Sequence, residues 1–242
     1  MDVESPRKSR RQARLRWLFT ALVMACAGCS TYIGTTPQSF LRHARSNPDP
    51  NLRYIAYAKL GNPDLYDHPA MKAQAVDTLI AKLEEGREPV AARMVIIRSL
   101  GRLGDRRARN AIAKVANNAN AEAMLRVEAY RALGMVGTSE DAMTLVRIMN
   151  TDQLEDCRIA AIEGIAALKS RDPRIYDVLI EGMENEDPAI RLQSYRALKQ
   201  ITGKDPGNRP DDWRKVLKPE LAKTEKPTIA SGIQPGHPPG PR

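Results

Sequence analysis

Apolar residues recur along this chain at helical spacing, inside segments that themselves recur. PNLRYIAYAKLG, VAARMVIIRSLGRLG, AMLRVEAYRALGMVG, EDCRIAAIEGIAALK and PAIRLQSYRALKQITG align on Arg53, Arg93, Arg126, Arg158 and Arg191, with steps of 40, 33, 32 and 33 residues. Three residues after each arginine stands Ala56, Ile96, Ala129, Ala161 or Ser194, and seven after it Leu60, Leu100, Leu133, Ile165 or Leu198. Offsets of three, four and seven share one face of an α-helix, so each segment predicts an amphipathic helix. Leu79, Ile112, Leu145 and Val178, each 33 residues apart, mark a second helix ahead of the last four segments. The repeating unit is therefore helix–turn–helix, about 33 residues long. Residues 62–68, NPDLYDH, insert a loop that accounts for the first, longer step. Gly61, Gly101 and Gly134 fall where a left-handed helix cap is expected. Pro50, Pro89 and Pro188 fall at the start of a segment, where a missing N–H costs nothing.

The pattern changes at both ends. Residues 1–16 carry Arg7, Lys8, Arg10, Arg11, Arg14 and Arg16, and Trp17–Gly28 is a mostly apolar run of twelve. Twelve helical residues rise about 18 Å against a hydrocarbon core of about 30 Å, too short for a stable span. A basic run, a short apolar run and small residues after it are the marks of a secretory signal. Residues 204–221, KDPGNRPDDWRKVLKPEL, predict a cap in which Trp213 covers the apolar edge of the last repeat. Residues 224–242 are dominated by Pro and Gly and predict disorder.

Composition sharpens this picture. Only 5% of residues are aromatic, so the core rests on Ala, Leu, Ile, Val and Met, as closely packed helices allow. The net charge is +9, but residues 1–28 hold six Lys/Arg against two Asp/Glu, so the remainder is only mildly basic and argues weakly for nucleic acid. Of three cysteines, Cys26 and Cys29 lie at the end of the apolar run and Cys157 in the fourth segment. A redox reading of Cys26-x-x-Cys29 needs a βαβ unit that does not follow.

Cys26-Ala27-Gly28-Cys29 resembles the lipobox of bacterial lipoproteins, with Cys26 where that family prefers Leu. The resemblance implies cleavage before Cys29 and acylation of its thiol. Two acyl chains bury enough CH₂ groups, at about 0.8 kcal/mol each, to hold a domain at a bilayer. Ser30 after it gives a slight lean to the outer membrane. The repeats resemble the HEAT family, in particular its short bacterial HEAT-like, phycobilin-lyase-type variant. Asp49-Pro50-Asn51-Leu52-Arg53 and Asp187-Pro188-Ala189-Ile190-Arg191 carry that resemblance, which covers about residues 37–203. It implies an all-α, right-handed α-solenoid of about five helix pairs, each stable only against its neighbours.

The repeated arginines Arg53, Arg93, Arg126, Arg158 and Arg191 are read as a structural ladder, satisfying loop carbonyls or an acid between repeats. Tyr57, Tyr130 and Tyr195, each four residues after an arginine, are read as packing between repeats. Positions two, five and nine after each arginine are expected to point away from the core and line a concave wall. Their candidates for binding a partner are Arg98, Arg102, Glu128, Arg131, Glu163 and Arg196, with Val95, Met135, Gln193 and Gln200 beside them. The mixed charge suits a protein ligand better than a polyphosphate, because Glu128 and Glu163 interrupt the basic run. His43, His68 and His237 have no metal-ligand spacing, and no phosphate loop or nucleophile motif occurs.

The expected organisation is a signal peptide over 1–28, a tether over 29–36 that begins with the lipidated cysteine, repeats over 37–203, a cap over 204–223 and a tail over 224–242. The expected function is a membrane-anchored, non-enzymatic scaffold that faces the periplasm and binds an envelope protein, without cofactor, metal or nucleic acid. The alternatives are cofactor handling, as in the bilin lyases the repeats resemble, and nucleic-acid binding.

Overall fold

The structure is a computed structural model and describes residues 33–222. Among them are eleven α-helices: α1 Pro37–Ser46, α2 Pro50–Leu60, α3 Pro69–Glu85, α4 Val90–Leu103, α5 Arg109–Ala116, α6 Ala123–Val136, α7 Ser139–Thr151, α8 Glu155–Leu168, α9 Pro173–Gly182, α10 Pro188–Thr202 and α11 Pro210–Leu221. None is long and apolar enough to cross a membrane. The described chain divides into two compact units at Gly137/Thr138.

In the first unit α1–α2, α3–α4 and α5–α6 are packed pairs. Even helices stack in the order α2, α4, α6 and odd helices in the order α1, α3, α5. In the second unit the pairs are α7–α8 and α9–α10, with α8 on α10, α7 on α9, and α11 against α9. Five pairs and a terminal helix make an α-solenoid of repeats, as the apolar spacing predicts.

Local chemistry explains where helices start. Asp49, Asp172 and Asp187 each accept a backbone N–H two residues on, and Pro50, Pro173 and Pro188 follow them at the first helical position. Pro89 sits one place earlier than expected: it is the residue before α4, with extended backbone. Left-handed ends fall at Gly86, Gly104, Lys169 and Gly203, not at the glycines the pattern suggested. Gly61 and Gly101 serve close approach instead. A Cβ on Gly61 would lie 2.8 Å from the Ser99 Cα, and one on Gly101 would lie 3.1 Å from the Ala132 Cα. These glycines let α2, α4 and α6 stack closely.

Ala56, Ile96, Ala129, Ala161, Ser194 and the residues seven after each arginine are all buried. Leu79, Ile112 and Leu145 are fully buried, but Val178 is only half-buried and Leu179 takes its place. In α9 the inward positions are Ile175, Tyr176, Leu179 and Ile180, a face set one residue later. At the end of the second unit Trp213 is fully buried, donates to the Gly207 carbonyl at 2.8 Å and meets Tyr195 edge-on at 6.3 Å. The loop over residues 62–68 holds a 3₁₀ turn, Pro63–Leu65, and the Tyr66 hydroxyl donates back to the Leu60 carbonyl. Burial pushes the Tyr66 phenol up to about 12.

Candidate functional site

The ladder arginines lie at the start of the even helices. Arg53 donates from Nε and Nη2 to both oxygens of Glu88, at 2.8 and 3.1 Å, and from Nη1 to the carbonyls of Asn47 and Pro48. Tyr57 donates to Glu88 at 2.9 Å, so one carboxylate ties α2 to the loop between α3 and α4 through three hydrogen bonds. Burial raises the Glu88 carboxyl, but Arg53 and Tyr57 outweigh it and hold it below the usual carboxylate range. Burial, then Glu88, pushes the Tyr57 phenol far up. In the second unit Arg158 lies 3.6 Å from Asp187, and Arg191 donates to the carbonyls of Asn185 and Glu186. Arg53 and Arg191 thus bind carbonyls at the same offsets, six and five residues back. The remaining ladder nitrogens differ: the Nε atoms of Arg93, Arg126 and Arg158 are buried without a hydrogen-bond partner.

The outward candidates are placed differently from one another. Arg98, Arg102, Glu128 and Arg131 line one pocket of about 280 Å³ in the first unit, with Ala132 and Met135 as its apolar wall. Glu128 is not an outward acid. It is 6% exposed and forms a two-point ion pair with Arg98, whose Nε lies 3.1 Å from its Oε2. That contact lifts the Arg98 guanidinium above its ordinary range. Val95, at the same repeat position as Glu128, is buried as well. The expectation that position two after the arginine points away from the core is therefore corrected for the three middle copies, where Val95, Glu128 and Ala160 are buried, while Ile55 in the first copy is exposed and Gln193 in the last is half-buried.

Neighbouring residues at that position carried the signal: Val95 and Ala160 are apolar where Glu128 is charged. Arg102 is exposed, and among the described residues it has no acidic partner. Met135 is 54% exposed at the pocket. Glu163, half-buried on α8, and Arg196, exposed on α10, belong to the second unit and are not among the residues that line this pocket. Cys29 lies outside the described residues.

The pocket can hold a group that is part acid and part apolar. Arg102 supplies an unpaired cation, Arg98 presents a guanidinium edge already fixed by Glu128, and Met135 supplies polarisable apolar surface. Among the described residues no group of His, Cys, Asp and Glu could hold a metal ion. Cys157 is fully buried on α8.

Comparison with known proteins places the repeats. The family described as HEAT repeats matches residues 76–166. A search of curated proteins returns no match. Among solved structures the chain is similar to the complex of CpcE and CpcF of phycocyanin lyase from Nostoc sp. PCC7120, with 21% identity, a TM-score of 0.58, and 77% of this chain and 70% of that chain covered. The expectation of a non-enzymatic chain is corrected by this finding, because the similar structure belongs to a lyase, an enzyme. At that identity the likeness speaks for the fold. The apolar repeat, the stacked helix pairs and both comparisons agree that the described chain is an all-α solenoid, with a match to HEAT repeats over residues 76–166.

Proposed function

We propose that this chain is a repeat-built binding protein whose α4–α6 pocket receives an acidic, partly apolar segment of a protein partner. The observation that carries the reading is the convergence of Arg98, Arg102 and Arg131 beside exposed Met135. Repeat solenoids bind proteins through extended surfaces, and the similar solved structure is itself a complex of two chains. The reading is tested by a photo-reactive residue at Met135 in the native cell, against a control at exposed Glu181 on α9. One discrete cross-linked species at position 135 and none at 181 supports it. Identical patterns at both positions sink it.

A second reading has a specific observation in its favour. The similar structure is a phycocyanin lyase, and the comparisons lend their weight to cofactor handling more than to a plain scaffold. A linear tetrapyrrole carries propionate carboxylates on an apolar body, which is the same chemistry the pocket offers. Adding a bilin to the purified chain distinguishes the two. A saturable change in bilin absorbance that Arg102→Glu abolishes favours the cofactor, and an unchanged spectrum favours the protein partner.

The proposal extends to location. The basic run, the apolar stretch and Ala27-Gly28-Cys29 support export and lipid anchoring at Cys29, with the repeats facing the periplasm and the outer membrane slightly favoured. Mass spectrometry of the N-terminal peptide from native membranes tests it. A peptide that begins at an acylated Cys29 is expected, and an unmodified chain that begins at Met1 would overturn the anchor.

A further inference from the structure

Two rungs of the arginine ladder lack an acid in register: Gln153 and Leu154 stand where the acid for Arg126 would be, and Arg126 is engaged elsewhere, whereas for Arg93 nothing among the described residues takes its place. Arg53 meets Glu88 and Arg158 meets Asp187, carboxylates that stand five and four residues ahead of Arg93 and Arg191. The corresponding positions ahead of Arg126 are Ala121 and Glu122. Ala121 has no carboxylate. Glu122 is exposed, and among the described residues its side chain makes no cap, hydrogen bond or ion pair. Arg93 has its Nε buried without a partner, and among the described residues no acid meets its guanidinium. It faces a cavity of about 160 Å³ whose lining includes Gly86, Arg93, Lys114, Asn118 and Ala121, with exposed Glu84 at its edge. Two cations against one carboxylate leave the cavity positive. The Asn118 Oδ1 accepts from the Asn120 N–H, which leaves its amide NH₂ as a neutral donor.

We propose that this cavity binds a carboxylate brought from outside the ladder, with Arg93 and Lys114 as its charge partners. Arg53 and Glu88 show the chemistry, a carboxylate held on an arginine fork, and the acids of both filled rungs precede a proline, Glu88-Pro89 and Asp187-Pro188. A buried guanidinium nitrogen without a partner carries an unmet desolvation cost, and an incoming carboxylate relieves it. The site lies among α3, α4, α5 and the loop before α6, and does not depend on the pocket assigned to the partner. The carboxylate belongs either to an acidic segment of another polypeptide or to a small carboxylic acid.

The test is an NMR titration of the full chain at low salt, which follows the arginine Nε–H signals. The probes are succinate and N-acetyl-aspartyl-prolinamide. The expected result is a saturable downfield shift of the Arg93 Nε–H. Arg93→Lys, which keeps the charge and loses the fork, should weaken binding about tenfold or more, and Lys114→Gln should weaken it several-fold. Dipeptide binding ten or more times tighter than succinate assigns the site to a polypeptide. Equal affinities assign it to a free acid. The proposal is overturned if neither probe gives a saturable shift, or if Arg93→Lys responds as the wild type does. It also falls if Glu122→Gln moves the Arg93 signal without added acid, since Glu122 would then already fill the rung.

Discussion

Replacing Glu88 by Gln probes the ladder where it is most complete. The Glu88 side chain is 7% exposed and that of Arg53 is 20% exposed. The carboxylate accepts from Arg53 Nε, Arg53 Nη2 and the Tyr57 hydroxyl. Glutamine keeps one acceptor oxygen, loses the charge, and turns a donor towards the guanidinium. Arg53 Nη1 stays bound to the Asn47 and Pro48 carbonyls, so the arginine is not wholly stranded. Losing charge-assisted bonds at about 1.5–3 kcal/mol each, partly offset by what remains, gives a cost of about 2–3 kcal/mol at neutral pH. Glu88 also sets a pH dependence. Its folded pKa lies below the ordinary value of 4.5, so its contribution is full above that value and fades as pH falls through the folded pKa. Urea unfolding followed by far-ultraviolet circular dichroism should show the Gln variant less stable at pH 7 and the gap closing below about pH 4. A gap under about 0.5 kcal/mol at pH 7, the range of an ordinary surface change, would refute the reasoning, as would a gap that does not shrink in acid.

Three further outcomes follow from the packing. Tyr57→Phe removes one hydroxyl that bonds both Glu88 and the Ala44 carbonyl, and should cost about 1 kcal/mol in the same unfolding assay. Gly61→Ala should cost about 1–3 kcal/mol, because the new Cβ meets the Ser99 backbone and α2 must move off α4; an unchanged melting temperature would contradict the close approach. Trp213→Ala should cost about 3–5 kcal/mol and raise proteolysis within residues 204–222, since it removes the fully buried ring between α11 and Tyr195.

Much of the fold was legible because a solenoid repeats its errors as well as its rules. Five arginines in one register fix the even helices, and the residues three and seven after them are buried in every copy. The odd helices were less legible. Val178 and Leu179 are adjacent apolar residues, and a strict 33-residue spacing selects the wrong one; only the pair Ile175 and Tyr176 one turn earlier settles the face. Glycine near a helix end reads as a left-handed cap, but in Gly61 and Gly101 the absent side chain matters through a neighbouring helix, which local sequence does not report. The site was half legible. Periodicity brought Arg98, Arg102 and Arg131 to one pocket. It did not by itself show that Glu128 is withdrawn into an ion pair with Arg98; the apolar Val95 and Ala160 at the same repeat position mark a stacking position, but they do not name the partner. The unpaired Arg93 was invisible for the opposite reason: it is defined by the acid that Ala121 does not carry.

The central claim is that the α4–α6 pocket receives an acidic ligand, and Arg102 tests it most directly because it is exposed and holds up no other residue of the pocket. Arg98 is a poorer choice, since reversing its charge would place two acids together in a buried pair. The measurement is the yield of the cross-link from position 135 in chains that carry Arg102, Arg102→Lys or Arg102→Glu, with melting temperature as a check on folding. The account predicts an unchanged melting temperature, a yield kept largely intact by lysine and one reduced about tenfold or more by glutamate. Equal yields from all three chains would contradict it.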